Sequence, residues 1–282
     1  MLVQGKVEGQ FLKQFVKYQS LGNDFIIFDW FKKPTTFVQE QLKDPQWKAF
    51  VLKICDRHFG VGADGVLVIT SCPQEGVPEV LIFNADGSNG QTCLNGLRCV
   101  AKHLFQEHKF PKQFSIKMSQ RMIDCVIETK ESVTLIKTNV GVSEYLGEQT
   151  IETEAGTFFG YKMSIGNPHF IVFDKKPIEW LLQHGALIES HSAFPHRTNV
   201  EFVVPAGKNR YDVTVYERGC GVTLACSSGA AAIMGLLEHL GQIQKGDEIE
   251  LVMPGGTVIG CVQQDSGITL MADAQYVFHG SI

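Results

Sequence analysis

Apolar and polar residues alternate over many short stretches of this chain, a pattern typical of β-strands with one buried face. Residues 15–31 predict a strand, a polar turn at 20–24 and a second strand, and therefore a hairpin. The same alternation predicts strands at 66–69, 80–83, 114–118, 123–128, 133–138, 161–165, 170–173, 212–216, 248–253, 257–262, 267–272 and 276–278. Strands are thus expected along nearly the whole chain.

Three segments instead repeat their apolar residues every three to four positions, which predicts helices. The first begins near Asp44-Pro45, an N-cap residue followed by proline, and ends before Gly60. The second follows Cys93, with Arg98, Lys102 and His103 on its other faces. The third, at 230–240, is apolar on every side and is therefore expected to be buried.

The interval 140–157 is polar and acidic, so it is predicted to connect two halves of the chain. Each half contains a strand, a glycine-containing turn and then Cys-x-x-Gly at the start of a helix, at 93–96 and at 226–229. If the halves face each other, two helix N-termini that each carry a cysteine lie on either side of one cleft.

Composition and charge narrow the range of functions. With 282 residues, 44% of them hydrophobic and 20% charged, the chain is long enough for one large or two small folded domains. A net charge of −5 without a Lys/Arg run argues against a nucleic-acid partner. No apolar stretch approaches the roughly 20 residues of a membrane span, and residues 1–10 lack the apolar core of a signal peptide. A cytoplasmic location is therefore expected.

The eight cysteines divide into two groups. Four are scattered in apolar or loop contexts and are expected to be reduced structural thiols: Cys55, Cys72, Cys125 and Cys261. The other four form two local pairs: Cys93 with Cys99, and Cys220 with Cys226. A zinc-binding or thiol redox module is one interpretation of these pairs. Five intervening residues and no neighbouring histidine cluster fit a metal site poorly, so none is predicted.

Acid–base chemistry is the other interpretation of Cys93 and Cys226. A helix N-terminus stabilises a thiolate and is expected to lower the thiol pKa from about 8.5 by one or more units. Inversion of an α-carbon removes a proton from one face and delivers a proton to the other, so it needs two such groups. On spacing alone, however, a small buried cysteine ahead of an apolar helix is the more frequent case.

Motifs around the two cysteines occur in a specific order. They are Gly22-Asn23-Asp24-Phe25, Asn84-Ala85-Asp86-Gly87-Ser88, Cys93-Leu94-Asn95-Gly96-Leu97-Arg98-Cys99, Gly166-Asn167-Pro168-His169, Arg197-Thr198-Asn199-Val200-Glu201, Glu217-Arg218-Gly219 and Ala225-Cys226. In this order the chain resembles the diaminopimelate epimerase family over nearly its whole length after about residue 13.

The resemblance implies an isomerase that interconverts LL- and meso-2,6-diaminopimelate without pyridoxal phosphate or any other cofactor, for lysine and peptidoglycan synthesis. It also implies an α/β fold of the α+β type, with two pseudo-symmetric lobes that each curl a mixed sheet around a central helix. The expected lobes are residues 1–140, joined by a strand from about 274–282, and residues 141–273. The active site would lie in the cleft between them, in a protein that forms a homodimer.

The resemblance also assigns residues to roles. Cys93 and Cys226 would be catalytic, and the backbone N–H groups of Ser227 and Ser228 would receive the carboxylate at the reacting carbon. His169 would support Cys93, and Glu217 would support Cys226. The side chains that would hold the substrate are Asn23, Asn84, Asn95, Asn167, Asn199, Glu217 and Arg218. Asn amides both donate and accept, and Arg218 suits a planar carboxylate.

Two positions depart from the usual family pattern. Leu94 follows the first cysteine where a glycine is usual, and Ser227-Ser228 replaces the usual Gly-Thr or Gly-Ser after the second. The Leu94 side chain would narrow the pocket, so we expect relaxed specificity, for example toward glutamate. A proline or hydroxyproline racemase is the nearest alternative but lacks the Asn-rich blocks. An isomerase of the phenazine-biosynthesis type does not need paired cysteines.

Overall fold

The computed structural model describes residues 14–72, 76–90, 92–130 and 132–282. The segment 1–10, for which no signal peptide is predicted, and the start of the first predicted lobe lie outside the described residues. The described part contains helices separated by runs of several strands, which confirms the expected α/β class of the α+β type. No described helix is both long enough and apolar enough to cross a membrane.

The described strands are hydrogen-bonded into one continuous mixed sheet. Most neighbours are antiparallel, whereas β2–β3, β4–β5, β10–β11 and β12–β14 are parallel pairs. The strands are β1 (Gln14–Ser20), β2 (Asn23–Asp29), β3 (Gly65–Cys72), β4 (Val77–Asn84), β5 (Gln113–Met118), β6 (Arg121–Lys130), β7 (Val133–Gly141), β8 (Glu144–Thr153), β9 (Gly156–Ser164), β10 (Pro168–Val172), β11 (Asn199–Gly207), β12 (Arg210–Glu217), β13 (Gly221–Thr223), β14 (Ile249–Met253), β15 (Gly256–Val262), β16 (Ile268–Asp273) and β17 (Gln275–Ser281).

Two of the helices are buried inside this sheet, and each begins directly after a cysteine. Leu97, Val100 and Leu104 of the first pack among side chains of β2, β3, β5, β6 and β7. The second is buried along almost its whole length, against strands that include β14, β15 and β16, as its all-apolar pattern predicts. The helices are α1 (Thr35–Lys43), α2 (Trp47–Cys55), α3 (Leu94–Glu107), α4 (Ile178–Glu189) and α5 (Ser227–His239).

Pairing between distant strands joins the two halves. The C-terminal strand β17 pairs with β1, and β16 pairs with β7 across the predicted boundary at residue 140. Because the sheet continues across that boundary, the division into residues 1–140 and 141–273 stays a prediction. The packing of α3 and α5 in two separate hydrophobic clusters supports it.

Most of the interval 140–157 forms strand β8, and its predicted role as the connection between the two halves stays a prediction. This strand pairs with β9 alone among the described strands, and only Ile151 in it is buried. A strand paired along one edge and exposed on much of its surface does not need the alternating apolar residues that identify buried strands. Its polar and acidic sequence therefore resembles a loop.

The predicted helix after Asp44-Pro45 begins two residues later than expected, at Trp47. The Asp44 carboxylate accepts a hydrogen bond of 2.7 Å from the backbone N–H of Gln46, so Asp44 closes a short turn before the helix instead of capping its first turn. The prediction for the faces of α3 is also wrong, since Arg98 is fully buried and His103 nearly so.

Candidate active site

A cavity of about 1060 Å³ opens between the N-terminal ends of α3 and α5. Both Cys93 and Cys226 line it, as the two-cysteine hypothesis requires. Nine of the side chains predicted to bind substrate line it as well: Asn23, Asn84, Leu94, Asn95, Asn167, Glu217, Arg218, Ser227 and Ser228. Asn199 and His169 are not part of the lining.

Cys93 is the N-cap residue of α3. Its sulfur accepts a hydrogen bond from the backbone N–H of Gly96 at 3.4 Å, and its thiol donates to Asn23 Oδ1 at 3.7 Å. The Asn95 side chain donates to the same oxygen at 3.4 Å. The turn at the end of β1 and the start of α3 thus meet at this thiol.

Cys226 is the N-cap residue of α5 and has an equivalent arrangement. Its sulfur accepts from the backbone N–H of Gly229 at 3.4 Å and lies 3.3 Å from the Ser228 hydroxyl. Only glycine fits at position 229, because a Cβ atom there would lie 2.6 Å from Oε1 of Glu201. The Cys-x-x-Gly repeat in the sequence therefore corresponds to two matching helix starts.

The expectation that the helix N-termini lower the thiol pKa is wrong for the unliganded protein. Burial raises the pKa of Cys93, although the Gly96 N–H and the charge of Arg98 lower it in part. Burial also raises the pKa of Cys226, well above its usual value, and the negative charges of Glu217 and Glu201 add to that rise. Loss of hydration at these positions outweighs the stabilisation of a thiolate by the helix.

Glu217 lies beside Cys226, the cysteine that it is predicted to support, and this role stays a prediction. Its carboxylate accepts a hydrogen bond of 2.5 Å from the Thr223 hydroxyl. Burial raises the pKa of Glu217, and the neighbouring Thr223 hydroxyl and Cys226 thiol oppose the rise. The second cysteine therefore has a buried carboxyl group next to it.

His169 lies on the Cys226 side of the cavity instead of beside Cys93. Its Nδ1 is 2.7 Å from Oε1 of the fully buried Glu201, and its Nε2 is 3.2 Å from Oδ1 of Asn167. Asn167 in turn donates to the Ser228 hydroxyl at 3.3 Å. The structure thus places His169 behind the substrate-facing residues at the start of α5.

Asn199 holds the backbone next to the cavity. Its Nδ2 donates to the carbonyl of Pro168 at 2.8 Å, and its Oδ1 accepts from the backbone N–H of Arg218 at 3.0 Å. The Arg218 guanidinium is exposed, lines the cavity and donates to the His196 carbonyl at 3.2 Å. Asn199 therefore fixes the chain that carries Arg218.

Sequence reasoning missed a charged group at the cavity rim. Arg57 forms ion pairs of 2.8 Å with Asp24 and 2.7 Å with Asp64, and Asp64 accepts a hydrogen bond of 2.7 Å from the Asn23 amide. Arg57 and Asp64 both line the cavity. Their proximity to Asn23 comes from the parallel pairing of β2 with β3, which the local sequence around Arg57 does not reveal.

The cysteines other than Cys93 and Cys226 have different surroundings. All eight cysteines are free thiols; Cys99 is fully buried in an apolar cluster, and Cys220 is exposed at the cavity.

One histidine-containing group lies elsewhere in the described structure. Asp29 Oδ2 is 2.9 Å from Nε2 of His103 and 2.6 Å from Nε2 of His108. These side chains connect the end of β2 to the C-terminal half of α3, away from the cavity.

Comparison with known proteins identifies the family of the chain. The sequence profile described as diaminopimelate epimerase matches residues 15–146 and 161–277. A diaminopimelate epimerase of Carboxydothermus hydrogenoformans is 33% identical over 279 residues, covering 95% of this chain and 98% of the relative. One from Bacillus cytotoxicus is 31% identical over 288 residues, covering 94% of this chain and 96% of the relative.

Solved structures share the fold at low sequence identity. A hydroxyproline epimerase from Agrobacterium vitis superposes with a TM-score of 0.70 at 14% identity, covering 96% of this chain and 91% of that chain. A phenazine biosynthesis protein from Bacillus anthracis gives a TM-score of 0.72 at 12% identity, covering 97% and 99%. These likenesses show the fold, whereas the profile and the close relatives show that the chain belongs to the diaminopimelate epimerase family.

Proposed function

We propose that this protein is a cofactor-independent isomerase that interconverts LL- and meso-2,6-diaminopimelate and thereby serves lysine and peptidoglycan precursor synthesis. The observation that carries the proposal is the placement of Cys93 and Cys226 at two matching helix starts that line one cavity. An α-carbon held between them has one sulfur available on each face. The relatives named above are diaminopimelate epimerases, which supplies the substrate.

The lining suits a molecule with two ammonium and two carboxylate groups. The first backbone N–H groups of α5, at Ser227 and Ser228, have no acceptor within the helix and are available to a carboxylate. Glu217 is placed to accept from the α-ammonium, and Arg218 offers a planar donor pair to the other carboxylate. The amides of Asn23 and its neighbours bind either kind of end without adding net charge.

The reaction needs one thiolate and one thiol. The thiolate takes the α-hydrogen as a proton, the electron pair remains on the carbon and its carboxylate, and the opposite thiol then delivers a proton to the other face. After turnover the protonation states of Cys93 and Cys226 are exchanged. Because burial raises the pKa of both thiols, a thiolate formed here is a stronger base than an exposed one, which favours removal of a weakly acidic hydrogen.

The test is incubation with LL-diaminopimelate in heavy water, with deuterium at the α-carbon followed by mass spectrometry. We expect the wild type to form the meso isomer with solvent deuterium, and Cys93→Ala and Cys226→Ala to lose epimerisation by about a thousandfold or more. Cys220→Ala, which removes a third cavity thiol, is the matched control and should remain active. Absence of exchange in the wild type, or normal turnover in both variants, would contradict the proposal.

Assembly and location are part of the same proposal. We propose a cytoplasmic homodimer in which β17 takes part in the interface. Tyr276, Val277 and Phe278 on this strand are 48%, 49% and 41% exposed, and β17 pairs only with β1 among the described strands. An apolar strand edge of this kind favours pairing with a second chain. Light scattering should give twice the chain mass for the wild type and a smaller mass for Val277→Glu; a monomeric wild type would contradict the dimer.

A further inference from the structure

Arg98, in the second turn of α3, is fully buried and has no carboxylate partner among the described residues. Burial lowers its pKa to about 10, so it stays a cation near neutral pH. Its Nη1 is also buried without a hydrogen-bond partner. A buried cation without a counter-ion is unfavourable, so its presence here requires an explanation, of which a functional role is one.

The contacts of Arg98 connect it to both helix starts. Its Nε donates to the Ser20 hydroxyl at 2.9 Å, and Nη2 donates to Oδ1 of Asn95 and, at 3.1 Å, to the Ser227 hydroxyl. The Ser227 hydroxyl also donates to Asn95 Oδ1 at 2.9 Å. The guanidinium therefore lies between the first turn of α3 and the first residue of α5.

The charge of Arg98 acts on three thiols: Cys93, Cys99 and Cys125. Hydrogen bonds lead from the guanidinium to the first of them. Asn95 accepts from Arg98 and donates to Asn23 Oδ1, and the Cys93 thiol donates to that same oxygen. Cys99 and Cys125 are fully buried in the apolar cluster around α3, and burial raises the pKa of Cys125 to about 12 and that of Cys99 further. Cys93 alone of the three lines the cavity and accepts backbone N–H hydrogen bonds, from Asn95 and Gly96. It is the only one of these thiols with the donors that a thiolate needs.

The two catalytic cysteines have opposite electrostatic surroundings. Arg98 is the strongest charge acting on Cys93, and Glu217 acts on it more weakly. Glu217 and Glu201 are the strongest charges acting on Cys226. A positive charge favours a thiolate at the first position, and two negative charges favour a neutral thiol at the second.

We propose that Arg98 is a positioning residue whose buried charge balances a thiolate at Cys93, so that Cys93, and not Cys226, is the cysteine that ionises first in the unliganded enzyme. The inference rests on the proposed two-cysteine function and adds the order in which the two thiols ionise. Through its hydrogen bonds to Asn95 and Ser227, the same guanidinium also fixes the starts of α3 and α5 relative to each other. This contact links the Cys93 thiol to the end of α5 that receives the carboxylate.

The test measures alkylation of each cysteine by iodoacetamide without substrate, from about pH 6 to about pH 11, with the modified residue identified by mass spectrometry. A midpoint above the end of this range is scored as later than any midpoint within it. In the wild type we expect the rate for Cys93 to rise at a lower pH than the rate for Cys226. In Arg98→Gln the Cys93 midpoint should move up by about 1 to 2 pH units while the Cys226 midpoint moves less. Arg98→Lys keeps the charge, so its Cys93 midpoint should stay near that of the wild type.

Arg210→Gln is the matched control, because Arg210 is half exposed and paired with Glu250 far from the cavity. Its two midpoints should equal those of the wild type. The proposal is overturned if Cys226 ionises before Cys93 in the wild type, or if folded Arg98→Gln leaves the Cys93 midpoint unchanged. If Arg98→Gln does not fold, the proposal is tested by the order of ionisation in the wild type and by Arg98→Lys. The charge argument is overturned if the Cys93 midpoint of Arg98→Lys rises by the amount expected for Arg98→Gln.

These results are independent of turnover. Alkylation requires no substrate, so failure of the heavy-water experiment would overturn the proposed reaction while the order of thiol ionisation could still be read. Conversely, normal epimerisation combined with an unmoved Cys93 midpoint in Arg98→Gln would overturn only the role given to Arg98.

Discussion

Glu217 and Cys226 lie beside each other at the wall of the cavity, and burial raises the pKa of both groups. A negative charge on either group makes a negative charge on the other less favourable. As long as the Glu217 carboxylate is ionised, Cys226 therefore favours the neutral thiol. Cys93 has no acidic side chain in an equivalent position. The two lobes are thus similar in backbone geometry but different in charge at the reacting sulfur.

Glu217→Gln tests this relationship. Without the carboxylate charge we expect the alkylation midpoint of Cys226 to move to lower pH, because the negative charge of Glu217 no longer opposes a thiolate there. We also expect kcat/KM to fall by about tenfold or more, since the substrate ammonium loses a charged partner. Glu250→Gln, at an exposed ion pair, is the control. An unchanged Cys226 midpoint would contradict the assigned coupling.

The buried pair of His169 and Glu201 gives a second prediction. Both side chains are fully buried and 2.7 Å apart, and Glu201 Oε2 has no other partner. Removal of one member leaves the other unpaired in the core, so His169→Ala should lower the free energy of unfolding by about 3 kcal/mol or more.

A double-mutant cycle with Glu201→Gln checks that prediction by denaturant unfolding. The free energy of unfolding should fall less in the double variant than the sum of the falls in the two single variants. The reason is that the second substitution removes the charge that the first left unpaired. Additive losses would show that the two groups are not coupled. Glu201→Gln alone should also lower the alkylation midpoint of Cys226, which a purely structural pair would not do.

The sequence predicts the two helix starts well and the electrostatics poorly. Cys-x-x-Gly followed by an apolar repeat is local information, and it is sufficient to locate Cys93 and Cys226 at the N-cap positions. The depth of burial depends on how distant strands cover these ends, so the direction of the thiol pKa changes is not visible in the motif. For the same reason, Arg98 is predicted on a polar face and lies in the core.

The elements that the sequence does not reveal lack a clear alternation of buried and exposed residues. Strand β11 is one of them, because its first five residues are all buried. In α1 only Val38 is buried, and in α4 the exposed Leu182 breaks the apolar stripe. Strand β8 is missed because it lies at an edge and keeps polar side chains on much of its surface. Among the site residues, Asn199 and His169 are found by their motifs, but their contacts depend on the pairing of β10 with β11.

Leu94 gives a prediction about specificity. It lines the cavity next to Cys93 and packs against the hydrophobic clusters of both halves. We expect measurable racemisation of glutamate by the wild type. Leu94→Ala should change the ratio of kcat/KM for diaminopimelate and glutamate by about tenfold, since a few methyl groups in a pocket discriminate at that level.

Leu146→Ala, which truncates a 45% exposed leucine on β8, is the control for the loss of an apolar side chain. Deuterium incorporation into each amino acid measures both reactions in one assay. A wild type that turns over diaminopimelate alone would contradict the expected relaxed specificity. An unchanged ratio in Leu94→Ala would show that Leu94 does not influence substrate choice.

Asp29 gives a prediction about acid stability. Burial alone would raise the pKa of this carboxyl, but the hydrogen bonds from His103 and His108 outweigh it and lower the pKa from 3.8 to about 2. A folded-state pKa below the unfolded value means that the carboxylate stabilises the fold above about pH 4, and that this contribution is lost as the pH falls toward 2. Its size at neutral pH is about 2 kcal/mol.

We therefore expect Asp29→Asn to lower the free energy of unfolding at pH 7 by about 2 kcal/mol and to flatten its dependence on pH between about 4 and 2. Urea unfolding at several pH values measures both effects. Asp124→Asn, at an exposed position on β6, should change neither by more than about 0.5 kcal/mol. If Asp29→Asn retains the wild-type loss of stability in acid, other carboxylates are responsible for it, and the two imidazoles do not hold Asp29 ionised.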